Sequence, residues 1–198
     1  VSGRIVILNG APRAGKSTLA AAMQTDLGGH WINLGVDVIN RSLPPDLVPG
    51  IGLRPGGERP ELEPLLPALY VALYDSIAAH ARQGFNVVAD LGHHDHYSQT
   101  LNLLPQCLVR LAGLDVLLVG VSCDLDTIMA RRNANPDGYV AGEGVPAPVQ
   151  RWQDSVHVPG IYDLVVDGAA PPADAVAAIA AALANPPTPS AASQLTGR

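Results

Sequence analysis

A chain of 198 residues, 47% apolar and only 15% charged, is long enough to bury one substantial core as a single globular domain. Its net charge of −6 supplies no basic stripe, which argues against nucleic acid as a general partner. No apolar run approaches membrane-spanning length, and Cys107 and Cys123 have neither metal nor redox spacing; a cytoplasmic protein with reduced thiols and no membrane partner is expected.

The first predicted strand, residues 4–9, is a short apolar run rather than a secretion signal, and it leads straight into Gly10, Ala11, Pro12, Arg13, Ala14, Gly15, Lys16, Ser17 and Thr18. This is a full match to the phosphate-binding pattern G-x-x-x-x-G-K-[ST], and an Ala/Leu-rich helix over 18–27 follows it. The glycines let backbone amides approach a phosphate, the helix adds its positive end, Lys16 reaches the β- and γ-phosphates, and the Ser17 hydroxyl is placed to ligate Mg²⁺. Lys16 is the only lysine in a chain that otherwise uses arginine, so the compact ammonium is required at that spot. These residues predict a nucleoside triphosphate site, ATP with Mg²⁺.

A second strand over 31–34 ends in Gly35-Val36-Asp37, with a short helix over 38–42. Asp37 is placed either to orient a substrate hydroxyl and accept its proton late in phosphoryl transfer, or to cap that helix. Residues 43–67, dense in Pro and Gly, read as a substrate cap. A helix over 67–83 and a strand over 85–90 follow, ending at Asp90, which is either a Mg²⁺-supporting carboxylate or the start of a turn. His93, His94 and His96 lack zinc spacing and read as residues lining a substrate mouth or meeting solvent. A broken helix over 97–111 contains Pro105, and the continuous apolar run 115–121 is the fourth strand.

Asp124 caps a helix to about residue 133 that carries Arg131 and Arg132. Either arginine could fold over ATP and stabilise charge on the transferred group, Arg131 the better placed, or both could simply suit a helix C-terminus. Arg13 either touches phosphate or meets solvent. Residues 134–148 read as a lid, followed by a helix over 149–157, a strand over 162–166 and a helix over 173–184. Residues 186–198, small and Pro/Ser/Thr-rich, read as a disordered tail beyond a single domain spanning 1–185. Strands alternating with helices, several of them uninterrupted apolar runs, mean an α/β fold with a parallel sheet covered on both faces. Ligands then collect at the carboxyl ends of its strands.

Taken together, Ile7-Leu-Asn-Gly10 with Ala14-Gly-Lys-Ser17, Gly35-Val-Asp37, Val119-Gly-Val-Ser-Cys-Asp124 with Arg131, Val140-Ala-Gly142, Val156-His157, Tyr162-Asp163 and Val165-Val-Asp167 resemble the chloramphenicol phosphotransferase family of P-loop small-molecule kinases. The resemblance implies a three-layer P-loop kinase fold with a five-stranded parallel sheet in the order 2-3-1-4-5. It also implies transfer of the ATP γ-phosphate to an alcohol, an antibiotic such as chloramphenicol among the candidates, with Asp37 as catalytic base. The segments 43–67, 93–96 and 135–139 depart from the family pattern. A kinase of an acidic metabolite or nucleotide, gripping its substrate with Arg41, Arg54 or Arg59, and a non-catalytic nucleotide-dependent switch are the alternatives.

Overall fold

The computed structural model describes residues 1–48, 59–135 and 144–197. Five strands, β1 (Ile5–Asn9), β2 (Trp31–Asn33), β3 (Asn86–Leu91), β4 (Val116–Ser122) and β5 (Leu164–Asp167), form one parallel sheet in the order β2-β3-β1-β4-β5. The expected strand order and sheet direction are therefore observed. All five residues of β1 are buried, as a central strand covered on both faces requires.

The period of two along β1 divides the core in half. Val6 and Leu8 face α1 (Lys16–Asp26) and α7 (Pro172–Ala184), where Leu19, Met23 and Ile179 pack. Ile5 and Ile7 face α3 (Leu66–Arg82) and α4 (Leu103–Leu108), which contribute Leu73, Tyr74, Ile77 and Leu108. The remaining helices are α2 (Val36–Ser42), α5 (Leu125–Ala134), α6 (Ala147–Ser155) and α8 (Ala191–Thr196).

Three sequence expectations need correction. The predicted helix 97–111 begins only at Leu103, because the Asp95 carboxylate accepts the amides of Leu101 (2.9 Å) and Asn102 (3.0 Å) and holds the preceding segment in an irregular path. Asp37 is not a cap preceding α2 but its second residue, the N-cap position falling on Gly35. The tail read as disordered carries α8 at residues 191–196. Ser190 caps it by accepting the Ser193 amide, and Asp163 accepts both the Ala191 amide and the Leu118 amide at 2.7 Å each. Ala191 is fully buried against the α4 side of the sheet, so apolar burial and capping outweigh the composition that suggested disorder. Parts of the expected cap (49–58) and lid (136–143), including Arg54 and the Val140-Ala-Gly142 motif, lie outside the described residues.

Candidate active site

The carboxyl ends of β1, β2, β3 and β5 and the elements that follow them line one cavity of about 1090 Å³. Its floor is the segment between β1 and α1. Gly15 takes φ +100°, a left-handed conformation that glycine alone adopts freely, and α1 starts on it with no side-chain cap and no acidic residue in its first turn. The first amides of α1 are thus left to an anionic ligand. Lys16 is 8% exposed, and its Nζ donates to the Ala11 carbonyl at 2.9 Å and lies 3.6 Å from Asp90 Oδ1. Burial pushes the Lys16 pKa down, while Asp90 and then Asp37 oppose that shift. Ser17 Oγ donates to Asp90 Oδ2 at 2.5 Å.

A second close approach brings the base candidate in. A Cβ at Gly35 would lie 2.6 Å from the Asp90 carbonyl, so the β2–α2 turn can lie against the end of β3 only as glycine. Asp37, two residues on, is exposed and lines the cavity with Lys16, Ser17 and Asp90. The hydroxyl and carboxylate of Ser17 and Asp90 form a pair of hard oxygen donors. That suits Mg²⁺, which takes one or two protein oxygens and completes its shell with phosphate and water. Among the described residues no group of three or more His, Cys, Asp or Glu could hold a metal, and the histidine segment forms no such cluster.

Of the other cradle residues, Pro12, Arg13 and Thr18 line the cavity, whereas Ala11 and Ala14 are buried beneath it. Arg131 does line the cavity, but its guanidinium is committed to backbone: Nη1 donates to the Arg13 carbonyl at 3.1 Å and Nη2 to the Gly168 carbonyl at 2.8 Å. It therefore ties the cradle to the loop after β5. Arg132, expected beside it on the nucleotide, is 3% exposed and does not line the cavity; the turn of α5 that directs Arg131 toward the cradle directs Arg132 inward. Arg13 Nη2 donates to the Asn135 carbonyl at 2.7 Å.

The histidines separate. His93 belongs to the core: 4% exposed, it meets Tyr74 Oη through Nε2 at 2.9 Å and packs on Tyr70, and burial pushes its pKa down to about 3. His94 lines the cavity, and His96 is exposed. Sequence reasoning missed the rest of this wall, Tyr70, Tyr97 and Trp152, because each lies on an element far from the cradle in the chain. It also assigned no role to Asn9, a polar residue ending an apolar strand, which was the available signal. Asn9 Nδ2 donates to the Val156 carbonyl (3.0 Å) and Tyr162 Oη (2.9 Å), and Oδ1 accepts the His93 amide (2.5 Å). One side chain thus locks the end of α6 and the start of the histidine segment to β1.

A P-loop at the carboxyl edge of a five-stranded parallel sheet of order 2-3-1-4-5 defines the class: a P-loop kinase fold. The chain belongs to the chloramphenicol phosphotransferase-like protein family, whose sequence model matches residues 3–184. A Mycobacterium tuberculosis (strain H37Rv) protein named "Putative O-phosphotransferase" is 28% identical over 130 residues, 58% of each chain. The chain thus spans somewhat over half the length of that curated relative. Solved structures that share the fold include two kinases. One is an APS kinase from Mycobacterium tuberculosis in complex with AMPPNP and APS (TM-score 0.60, 16% identity, 93% of this chain and 99% of that one). The other is a shikimate kinase from Acinetobacter baumannii in complex with shikimate (TM-score 0.58, 13% identity, 92% and 93%).

Proposed function

We propose that this chain is an ATP-dependent phosphotransferase that moves the γ-phosphate to a hydroxyl of a small, uncharged molecule. The observation that carries the reading is a single cavity with two unlike walls. Its cations, Arg13, Lys16 and Arg131, lie on the cradle and α5; the opposite wall carries Asp37, Asn40 and the aromatic groups Tyr70, His94, Tyr97 and Trp152. Among the described residues no Lys or Arg lines that opposite wall. The Asp37 carboxylate, which feels the charge of Lys16 on the cradle, accepts a hydroxyl hydrogen and disfavours an anionic group at its own side of the cavity.

In the proposed reaction the loop amides and Lys16 hold the β- and γ-phosphates. The Asp37 carboxylate accepts a hydrogen bond from the substrate hydroxyl and aims its oxygen at the γ-phosphorus. As the new P–O bond forms and the bond to ADP breaks, the hydroxyl proton passes to Asp37 and from there to solvent. Ser17 and Asp90 would hold Mg²⁺, which supplies charge neutralisation on the phosphates. Arg131 keeps the loop after β5 against the cradle, so the nucleotide lies between fixed walls.

The rival kinase of an acidic metabolite required arginines in the substrate wall. Of its three candidates, Arg41 is exposed on α2 without lining the cavity, Arg59 pairs with Glu61 at 2.9 Å, and Arg54 lies outside the described residues. The family name makes chloramphenicol the first alcohol to try. Asp37→Asn tests the reading. ATP affinity, measured by calorimetry, should stay within about threefold, while phosphotransfer falls by about 10²- to 10⁴-fold, the range of a lost general base. Wild-type turnover by Asp37→Asn would refute the assigned role.

A further inference from the structure

The substrate wall holds a hydrogen-bond donor that no described residue uses. His94 lines the cavity between β3 and α4, its ring stacked on Tyr97 (centroids 4.4 Å apart, planes 27°) and meeting Trp152 edge-on (4.4 Å, 71°). Its Nδ1 accepts the backbone N–H of His96 at 3.0 Å. A ring nitrogen that accepts a hydrogen bond carries no hydrogen of its own, so the neutral ring bears its hydrogen on Nε2. Burial, then the charges of His96 and Arg151, hold the His94 pKa down at about 4, with Asp95 and Glu63 opposing, so the ring is neutral near pH 7. Nδ1 is turned to the loop backbone, which leaves Nε2 on the outer edge of the ring. Among the described residues nothing accepts its hydrogen.

We propose that His94 is a specificity residue whose Nε2–H donates to an oxygen of the substrate alcohol other than the hydroxyl being phosphorylated, such as a carbonyl, nitro or ether oxygen, while Tyr97 and Trp152 hold the flat body that carries it. This rests on the phosphotransferase reading above and adds a second recognition point to it. Asp37 reads the reacting hydroxyl, and His94 reads an oxygen at the other end of the molecule. A donor fixed by packing on two rings loses little freedom on binding, and a substrate without the matching oxygen leaves it unpaired in a desolvated site.

The test uses chloramphenicol and pairs of neutral benzylic alcohols that differ only in nitro against methyl. His94→Phe keeps the ring packing and removes the donor; His94→Gln restores a donor near the position of Nε2. For the oxygen-bearing member of each pair, kcat/KM should fall about tenfold in His94→Phe and recover in part in His94→Gln, the size expected for one hydrogen bond. The KM for ATP should not move, and the methyl member should be little affected. If His94→Phe treats both members as the wild type does, or lowers both equally, the inference is overturned and the phosphotransferase reading stands. If the wild type transfers phosphate to none of these alcohols, the reading of the substrate class fails and the inference falls with it. Imidazole ¹⁵N spectra of the wild-type protein give an independent readout: the Nε2–H form of His94 is expected, and an Nδ1–H form overturns the inference.

Discussion

Lys16 and His93 show how burial sets the behaviour of single residues here. The Lys16 ammonium is nearly enclosed and is held by the Ala11 carbonyl and by Asp90 at 3.6 Å. On the proposed function those contacts are exchanged for phosphate oxygens. Lys16→Ala should therefore weaken ATP binding by about 10- to 100-fold, the worth of one charge-assisted hydrogen bond, with undiminished affinity in calorimetry as the contrary result. His93 gives a pH prediction. Its pKa is lowered from 6.5 to about 3 by burial, so the folded state binds fewer protons than the unfolded state between those values. Its contribution to stability is complete above pH 6.5 and is lost as pH falls toward 3, by up to about 1.4 kcal/mol per unit. Urea unfolding at pH 7, 6 and 5 should show that decline, and a shallower one in His93→Phe. Equal slopes in the two proteins would remove His93 as its source. The sequence placed Lys16, Asp37 and Asp90 at one rim of the sheet, where all three line the cavity, because a motif or a strand end fixes where each stands. It did not reveal that Arg131 would spend its guanidinium on two carbonyls, or that His93 and His94 would part to opposite sides. Side-chain direction at those positions depends on what packs from distant elements.

The C-terminal helix is the element that the sequence misjudged most. Local composition argued for disorder, yet Asp163, at the entrance to β5, bonds both the Leu118 amide in β4 and the Ala191 amide at the start of α8. A carboxylate 28 residues away cannot be weighed from a window of small residues. Asp163→Ala removes the partner of both amides and should cost about 1–3 kcal/mol of stability. Amide exchange over 191–196 should accelerate while ATP affinity is kept. Unchanged protection of that helix would show that apolar burial alone seats it. The helices α1, α3, α5 and α7 were readable within a few residues because their stops and caps are local, as with Asp124, which accepts the Thr127 amide at 2.7 Å. The broken helix predicted over 97–111 starts late, at Leu103, because Asp95 competes for the amides that would have begun it.

At the scale of the whole molecule, a parallel sheet brings the ends of four strands to one edge, so residues far apart in sequence share a cavity. The alternation of strands and helices made that architecture legible, and with it the phosphate end of the cavity. The aromatic wall was not legible, since Tyr70, Tyr97 and Trp152 carry no motif and meet only through the packing of α3, α6 and the histidine segment. No helix among the described residues is long and apolar enough to cross a membrane. The central claim is that the two walls of this cavity serve phosphate transfer from ATP to an uncharged alcohol. Incubation with γ-labelled ATP, Mg²⁺ and matched neutral and anionic alcohols, followed by separation of the products, tests it most directly. Label on a neutral alcohol, with none on its anionic counterpart, is the result expected; label appearing only in inorganic phosphate, or only on the anionic alcohols, would contradict it.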